Sequence, residues 1–200
     1  MPRTPAENER IRRATREQIL KTTRELFFTK GYHATSIDDV AKEAQISKGL
    51  LYHYFKGKEE LLAALVDSRI EDLLFVMNAA VAKETPMEQI RHIIEGALED
   101  VLRQPEAFRF ELNLLTQPKH DPVAAKYSQK LMDERAKQFQ FQTEMFKNLG
   151  VPNPRQRSLY FSSTLQGITL MFATYPESFP LEEIKAQMIV EFCGESAAPN

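Results

Sequence analysis

Cysteine occurs once in the 200 residues, as Cys193. One thiol cannot build an intramolecular disulfide framework, so the chain suits a reducing compartment and is expected in the cytoplasm. No apolar run approaches the length that crosses a bilayer, so no membrane partner is expected. The polar, basic start from Met1 to Arg13 has no apolar segment behind it and does not read as a secretory signal. Strand signals are missing too: β-branched residues are scattered, period-two alternation never lasts, and there is no repeat or low-complexity tract. His92 and His120 lack metal-ligand spacing with Cys193 or a carboxylate cluster, so neither a metal nor another cofactor is expected. There is no Gly-rich phosphate loop, no Ser-His-Asp or Cys-His pattern and no paired carboxylate in an apolar setting, all of which speaks against an enzyme.

What is present is charge asymmetry and helix punctuation. Residues 1–60 carry 12 Lys and Arg against 9 Asp and Glu, whereas residues 61–200 carry 14 against 19. A basic end on an acidic body points to a polyanion met by the N-terminal part. Ile19, Thr22, Thr23, Leu26 and Phe27 recur at helical spacing, and Gly31 supplies a left-handed cap that brings Tyr32 to Phe27. Thr35-Ser36 caps a second helix bearing Ile37, Val40, Ala41 and Ala44, with Asp38 and Asp39 in its first turn. Ser47 caps a third, brief helix to Tyr54, with Ile46 and Leu51 spaced as a hydrophobic staple. Lys58 opens a fourth, reaching about Lys83. Thr85-Pro86-Met87-Glu88, Pro105, Asp121-Pro122, Asn153-Pro154 and Leu181 start five more. The fold class is therefore all-α.

Two short helices joined by a tight turn cross steeply, so the second can enter a major groove while the first braces it. Ile46, Leu51 and Phe55 can point inward, leaving Lys48, Gly49, Leu50, Tyr52 and His53 outward. Lys48 offers a cation near a helix N-terminus, Gly49 a close backbone approach, and Tyr52 a hydroxyl for phosphate with a ring for a sugar or thymine methyl. Arg10, Arg12, Arg13 and Arg16 read either as a solvated helix face or as part of a basic arm, residues 1–14, that tracks phosphates or enters a minor groove.

The run Thr35-Ser36-Ile37-Asp38-Asp39-Val40-Ala41-Lys42-Glu43-Ala44-Gln45-Ile46-Ser47-Lys48-Gly49-Leu50-Leu51-Tyr52-His53-Tyr54-Phe55, followed by Lys58-Glu59-Glu60-Leu61, closely resembles the DNA-binding domain of the tetracycline-repressor (TetR) family. The match covers roughly residues 15–65, and beyond it only helix count and lengths agree. The resemblance implies phosphate contacts at Thr35 and Ser36, a tip at Ser47, Lys48 and Gly49 that meets bases or nearby phosphates, backbone clamps at Tyr52 and His53, and a phosphate-binding Lys58; Leu50, next to the tip, can meet a thymine methyl. The same resemblance implies a domain of residues 1–60 for DNA and one of residues 61–200 for an effector and for dimerisation. Two positions depart from the family pattern: Leu50 replaces a smaller residue, and Gln45 stands where glycine is usual in the turn. A residue at that point, just after a helix, is expected to be left-handed.

In the body, the helix from Pro154 to Tyr175 is the most apolar, and Ser162, Ser163, Gly167 and Ala173 along it admit a close neighbour. With the helix from Leu181 to Phe192 it suits a four-helix homodimer seam, which a palindromic operator in double-stranded DNA requires. Ile93, Ala97, Phe108, Leu112, Phe139, Gln142, Phe146, Phe161 and Leu165 are candidate walls for an apolar or amphipathic small-molecule effector, although each could equally be core. Asn113, Gln117, Gln138, Gln142 and Gln166 are the candidate polar groups there. Cys193 reads as a packed residue in preference to an oxidant sensor. The function expected is a ligand-responsive regulator, a repressor released by its effector; the alternatives are a DNA-binding protein without effector, or an enzyme carrying a DNA-binding module.

Overall fold

A computed structural model describes residues 4–116 and 121–194; Gln117 and His120, weighed above, lie outside them. Among the described residues there are nine helices and no strand: α1 (Pro5–Thr29), α2 (Ile37–Glu43), α3 (Lys48–Tyr54), α4 (Lys58–Val81), α5 (Pro86–Arg103), α6 (Pro105–Thr116), α7 (Pro122–Asn148), α8 (Pro154–Thr174) and α9 (Leu181–Cys193). None is long and apolar enough to cross a membrane.

The helix ends follow from local chemistry. Thr4, Ser36 and Thr85 each form a reciprocal capping box, with Glu7, Asp39 and Glu88. Because Thr4 and Pro5 start α1 so early, residues 5–14 are helix, and the expected arm is an extension of α1 along which Arg10, Arg12 and Arg13 are exposed. Gly31 takes φ +85°, and the Tyr32 ring then meets the Phe27 ring edge-on at 5.3 Å. At the end of α2, Ile46 N–H donates to Ala41 O (3.0 Å) and Gln45 N–H to Lys42 O (3.1 Å), a pair of bonds that requires a left-handed residue at 45. Gln45 supplies it with φ +55°, as the turn demanded.

Two apolar cores hold the helices. One joins Ile19, Phe27, Val40, Leu51 and Phe55 to Leu61, Leu62, Leu65 and Val66 of α4 and to Phe110, Leu114, Tyr127 and Leu131 of α6 and α7. The N-terminal core therefore continues past residue 60 into the first turns of α4, because Leu61 and Leu65 fall on the stripe facing α1. The other core gathers α5, α7, α8 and α9 around Phe146, Phe161 and Phe192, with ring centroids 5.0–6.3 Å apart. Fully buried side chains of this size contribute roughly 1.5–3 kcal/mol each. Cys193 is buried beside Met87, and burial raises its thiol pKa, as befits a packed residue. Gly96 lets α5 approach α4: a Cβ there would lie 2.9 Å from Val76 Cγ1.

Candidate nucleic-acid interface and effector cavity

The three N-terminal helices set α3 outward. Leu51 and Phe55 anchor it in the core, so Ser47, Lys48, Gly49, Leu50, Tyr52 and His53 all stand exposed along one short segment. Two of these are large apolar or aromatic groups left in water, Leu50 at 40% and Tyr52 at 47% exposure. Ser47 accepts from Leu50 N–H at 3.1 Å, fixing the helix start. Open space lies beyond Gly49, where nothing would touch a Cβ within 4 Å. Gln18 of α1 donates to Ala44 O at 2.8 Å, and the Arg16 guanidinium lies 5.5 Å from the Phe55 ring, so α1 braces both ends of the unit.

Not every expected contact is free to act as such. Thr35 is 1% exposed, and its hydroxyl is shared between Gly31 O (2.8 Å) and Leu26 O (3.3 Å). Its side chain ties the end of α1 to the start of α2 and cannot reach a phosphate. Ser36 remains at the surface, but its hydroxyl donates to the Asp39 carboxylate at 2.5 Å, which a phosphate would have to displace. The Ser36 hydroxyl and backbone N–H and the Lys30 ammonium hold the Asp39 carboxyl down to about 2. Lys58 Nζ sits 4.6 Å over the Tyr32 ring and donates to His33 O at 3.1 Å, which holds it against the segment between α1 and α2. Lys48 Nζ pairs with Asp38 at 2.7 Å, a contact the sequence reading missed, and the pairing holds the ammonium above its ordinary pKa.

Between α4 and α8 lies a cavity of about 70 Å³. Of the residues expected to wall an effector site, Ile93, Ala97, Phe108, Gln142 and Leu165 line it. Leu112 lines an adjoining groove of about 260 Å³ between α6 and α7. Phe139, Phe146 and Phe161 do not belong to it. Phe146 and Phe161 are buried in the aromatic core instead, edge-to-face with each other, and Phe192 meets Phe161 edge-on and Phe146 at a tilt. Gln138 and Gln166 reach the cavity, as weighed for polar groups, whereas Asn113 lines a different pocket next to Tyr32.

The sequence reading missed a buried charge network. Arg69 of α4 pairs with Asp100 of α5 and donates through Nε to Glu111 of α6 at 2.7 Å; Arg135 of α7 grips Glu111 through Nε (2.8 Å) and Nη2 (2.5 Å). The expectation of no paired carboxylates in an apolar setting is thus corrected, since Asp100 and Glu111 share one buried guanidinium. Burial alone would raise the Glu111 carboxyl, but Arg135 and Arg69 outweigh it and hold it below its ordinary value. Asp72, also on the cavity wall, lacks such a partner; burial and then the Asp100 charge push its carboxyl up. Asp72 equally lines a cleft under α1, where Arg24 is desolvated and donates to Gln104 at 3.5 Å.

This arrangement defines a class: a helix-turn-helix unit fused to a larger helical body with an internal cavity. Residues 19–65 match the family model described as "Bacterial regulatory proteins, tetR family". The HTH-type transcriptional activator FasR of Mycolicibacterium smegmatis is 30% identical over 106 residues, covering 52% of this chain and 48% of that protein. The match spans about half or less of each of the first curated relatives. A TetR-like transcriptional regulator from Rhodococcus sp. RHA1 has a similar fold, with TM-score 0.71 at 19% identity over 90% of this chain and 97% of that one. So does AibR, solved with isovaleryl coenzyme A and operator DNA, with TM-score 0.66 at 20% identity over 90% and 98% of the two chains. Residues 19–65 thus carry the DNA-binding segment of the TetR family, and the fold of the whole chain is similar to that of TetR-like regulators.

Proposed function

We propose that this protein regulates transcription by binding a pseudo-palindromic operator as a homodimer, and that a small apolar or amphipathic effector releases it. The observation that carries the reading is α3 itself: two buried anchors, and beyond them a row of exposed cationic, aromatic and small residues, none of which joins either apolar core. Ser47, Lys48, Gly49 and Leu50 would form the tip, with Tyr52, His53 and Lys58 on the backbone. Ser36 would add a contact only by exchanging Asp39 for phosphate.

Dimerisation is supported by α8. Leu159, Leu170 and Met171 are exposed on it, Val190 is exposed on α9, and space for a partner opens at Gly167. These side chains were expected to be covered, and within one subunit they are not. Effector control is supported by the cavity, and AibR gives a precedent with a ligand and operator in one crystal. At about 70 Å³ the cavity is well below the roughly 300–1,000 Å³ of a small-molecule site. An effector held wholly within it would have to enlarge it, and so would favour a different arrangement of α4 to α8, which is the condition for coupling to DNA. Selection from random duplexes, read beside sedimentation of the selected complex, tests the proposal. Inverted repeats bound by two subunits are expected, about one helical turn between half-site centres. Single half-sites bound by a monomer would overturn it. FasR is named an activator, so reporter transcription from the selected site fixes the sign.

A further inference from the structure

The cavity differs from an ordinary apolar hole in one respect. Gln138 is 8% exposed, yet its amide makes no hydrogen bond to protein. It is not among the polar atoms sealed from all contact, which leaves the cavity as the space its amide meets. One turn along α7, Gln142 accepts from Ser162 at 2.7 Å, which leaves its Nε2 protons unspent on the same side. A largely buried amide without a protein partner is costly unless a water or a ligand satisfies it.

The charged groups nearby are already committed. Arg69 is divided between Asp100 and Glu111, and Arg135 is bound in a fork to Glu111. No unpaired cation is left to receive a carboxylate, and Asp72 on the wall would repel one. A cation would meet Asp72, and the amine among the probes below decides between a cationic and an uncharged ligand. The opposite wall, with Val76, Met77 and Ile93, is aliphatic. Shape adds a constraint. The cavity is about half the ~150 Å³ that admits benzene, so it takes only a few carbon atoms. Phe108, Arg135 and Gln166 line both it and the apolar groove of about 260 Å³, so the two spaces share a wall through which a longer molecule could extend.

We propose that cavity and groove form one site for an elongated ligand whose leading end is a short, uncharged acyl group, its carbonyl held by the amides of Gln138 and Gln142 and its alkyl end against Val76 and Ile93. The carbonyl accepts from amide N–H groups that have no protein acceptor, and the remainder of the ligand occupies the groove beyond Phe108. This rests on the effector-responsive reading above and names the chemistry of that site.

Calorimetric titration of the full chain with three probes that share a four-carbon chain tests it: S-butyryl-N-acetylcysteamine, butyrate and butylamine. The thioester is expected to bind at least tenfold more tightly than the other two. Gln138→Leu is expected to weaken it at least tenfold, and Ala97→Leu, which fills the cavity, to abolish it. Thermal melts establish that both variants fold, and Gln138→Met serves if the leucine does not. Butyrate or butylamine binding as tightly as the thioester overturns the proposal, as does a folded Gln138 variant that binds normally, or a failure of all three probes to bind. Operator affinity, measured on the same samples, separates this from the regulatory reading. Probe binding that depends on Gln138 but leaves operator affinity unmoved upholds the site and sinks effector control.

Discussion

At position 45 the backbone turns left-handed with a Cβ in place, at φ +55°, the sole described non-glycine residue to do so. The Cβ crowds the following carbonyl at a cost of about 1 kcal/mol, while glycine would relieve this but enlarge the entropy of the unfolded chain. Gln45→Gly is therefore expected to be neutral to stabilising by up to ~1 kcal/mol in urea unfolding. Gln45→Val should lose about 1 kcal/mol or more, because β-branching tolerates positive φ least; equal midpoints for Val and Gln would count against the strain. The position was legible because a helix end, a sharp turn and the next cap leave the chain one geometry. Thr35 was not, although its β-hydroxyl beside a cap looks the same in sequence whether it faces water or, as here, the carbonyls of Leu26 and Gly31.

Among elements, ends were readable and faces less so. Capping boxes and Pro at the first helical turn are local signals, so α1, α2 and α5 start where residue chemistry says they must. Whether Phe146 lines a cavity or a core depends on what α8 and α9 bring to it, and spacing along α7 carries no such information. Arg69 did leave a trace: it continues the stripe of Leu62, Leu65 and Val66 into the core, a position at which a buried charge demands partners. Removing it leaves buried Asp100 with only the exposed Arg103, and Glu111 with only Arg135, so Arg69→Met should destabilise by roughly 3–5 kcal/mol, and adding Asp100→Leu should recover part of the loss. Calorimetric melts of the two variants decide whether α4 to α7 are held by this network. The α2 cap gives a pH signature. The folded Asp39 carboxyl titrates at about 2, below its ordinary 3.8, so its contribution is complete above the ordinary value and fades as pH falls through about 2. An NMR titration placing Asp39 near 3.8 would remove the capping box from the account.

On the scale of the molecule, α1 to α3 were legible almost residue by residue, because a unit that meets DNA keeps its residue types in sequence-local order. The C-terminal body was legible only as helices, since its cavity is closed by side chains as far apart in sequence as Arg69 and Gln166. The exposed stripe on α8 leads to a prediction for the assembly. Leu170→Glu should convert a dimer to a monomer in sedimentation and lower operator affinity at least tenfold, whereas a charged residue that left the dimer intact would place the seam elsewhere. The pairing of Lys48 with Asp38 has its own consequence for how the complex answers to ionic strength. DNA binding is driven largely by release of small cations condensed on the phosphates, and each lysine that reaches a phosphate normally releases close to one. A lysine that arrives with its own carboxylate brings a negative charge to the same surface, so its net release is smaller. The complex should then depend on salt less steeply than its cationic contacts imply, and Asp38→Asn should bind more tightly at low salt while losing that advantage faster as potassium chloride is added.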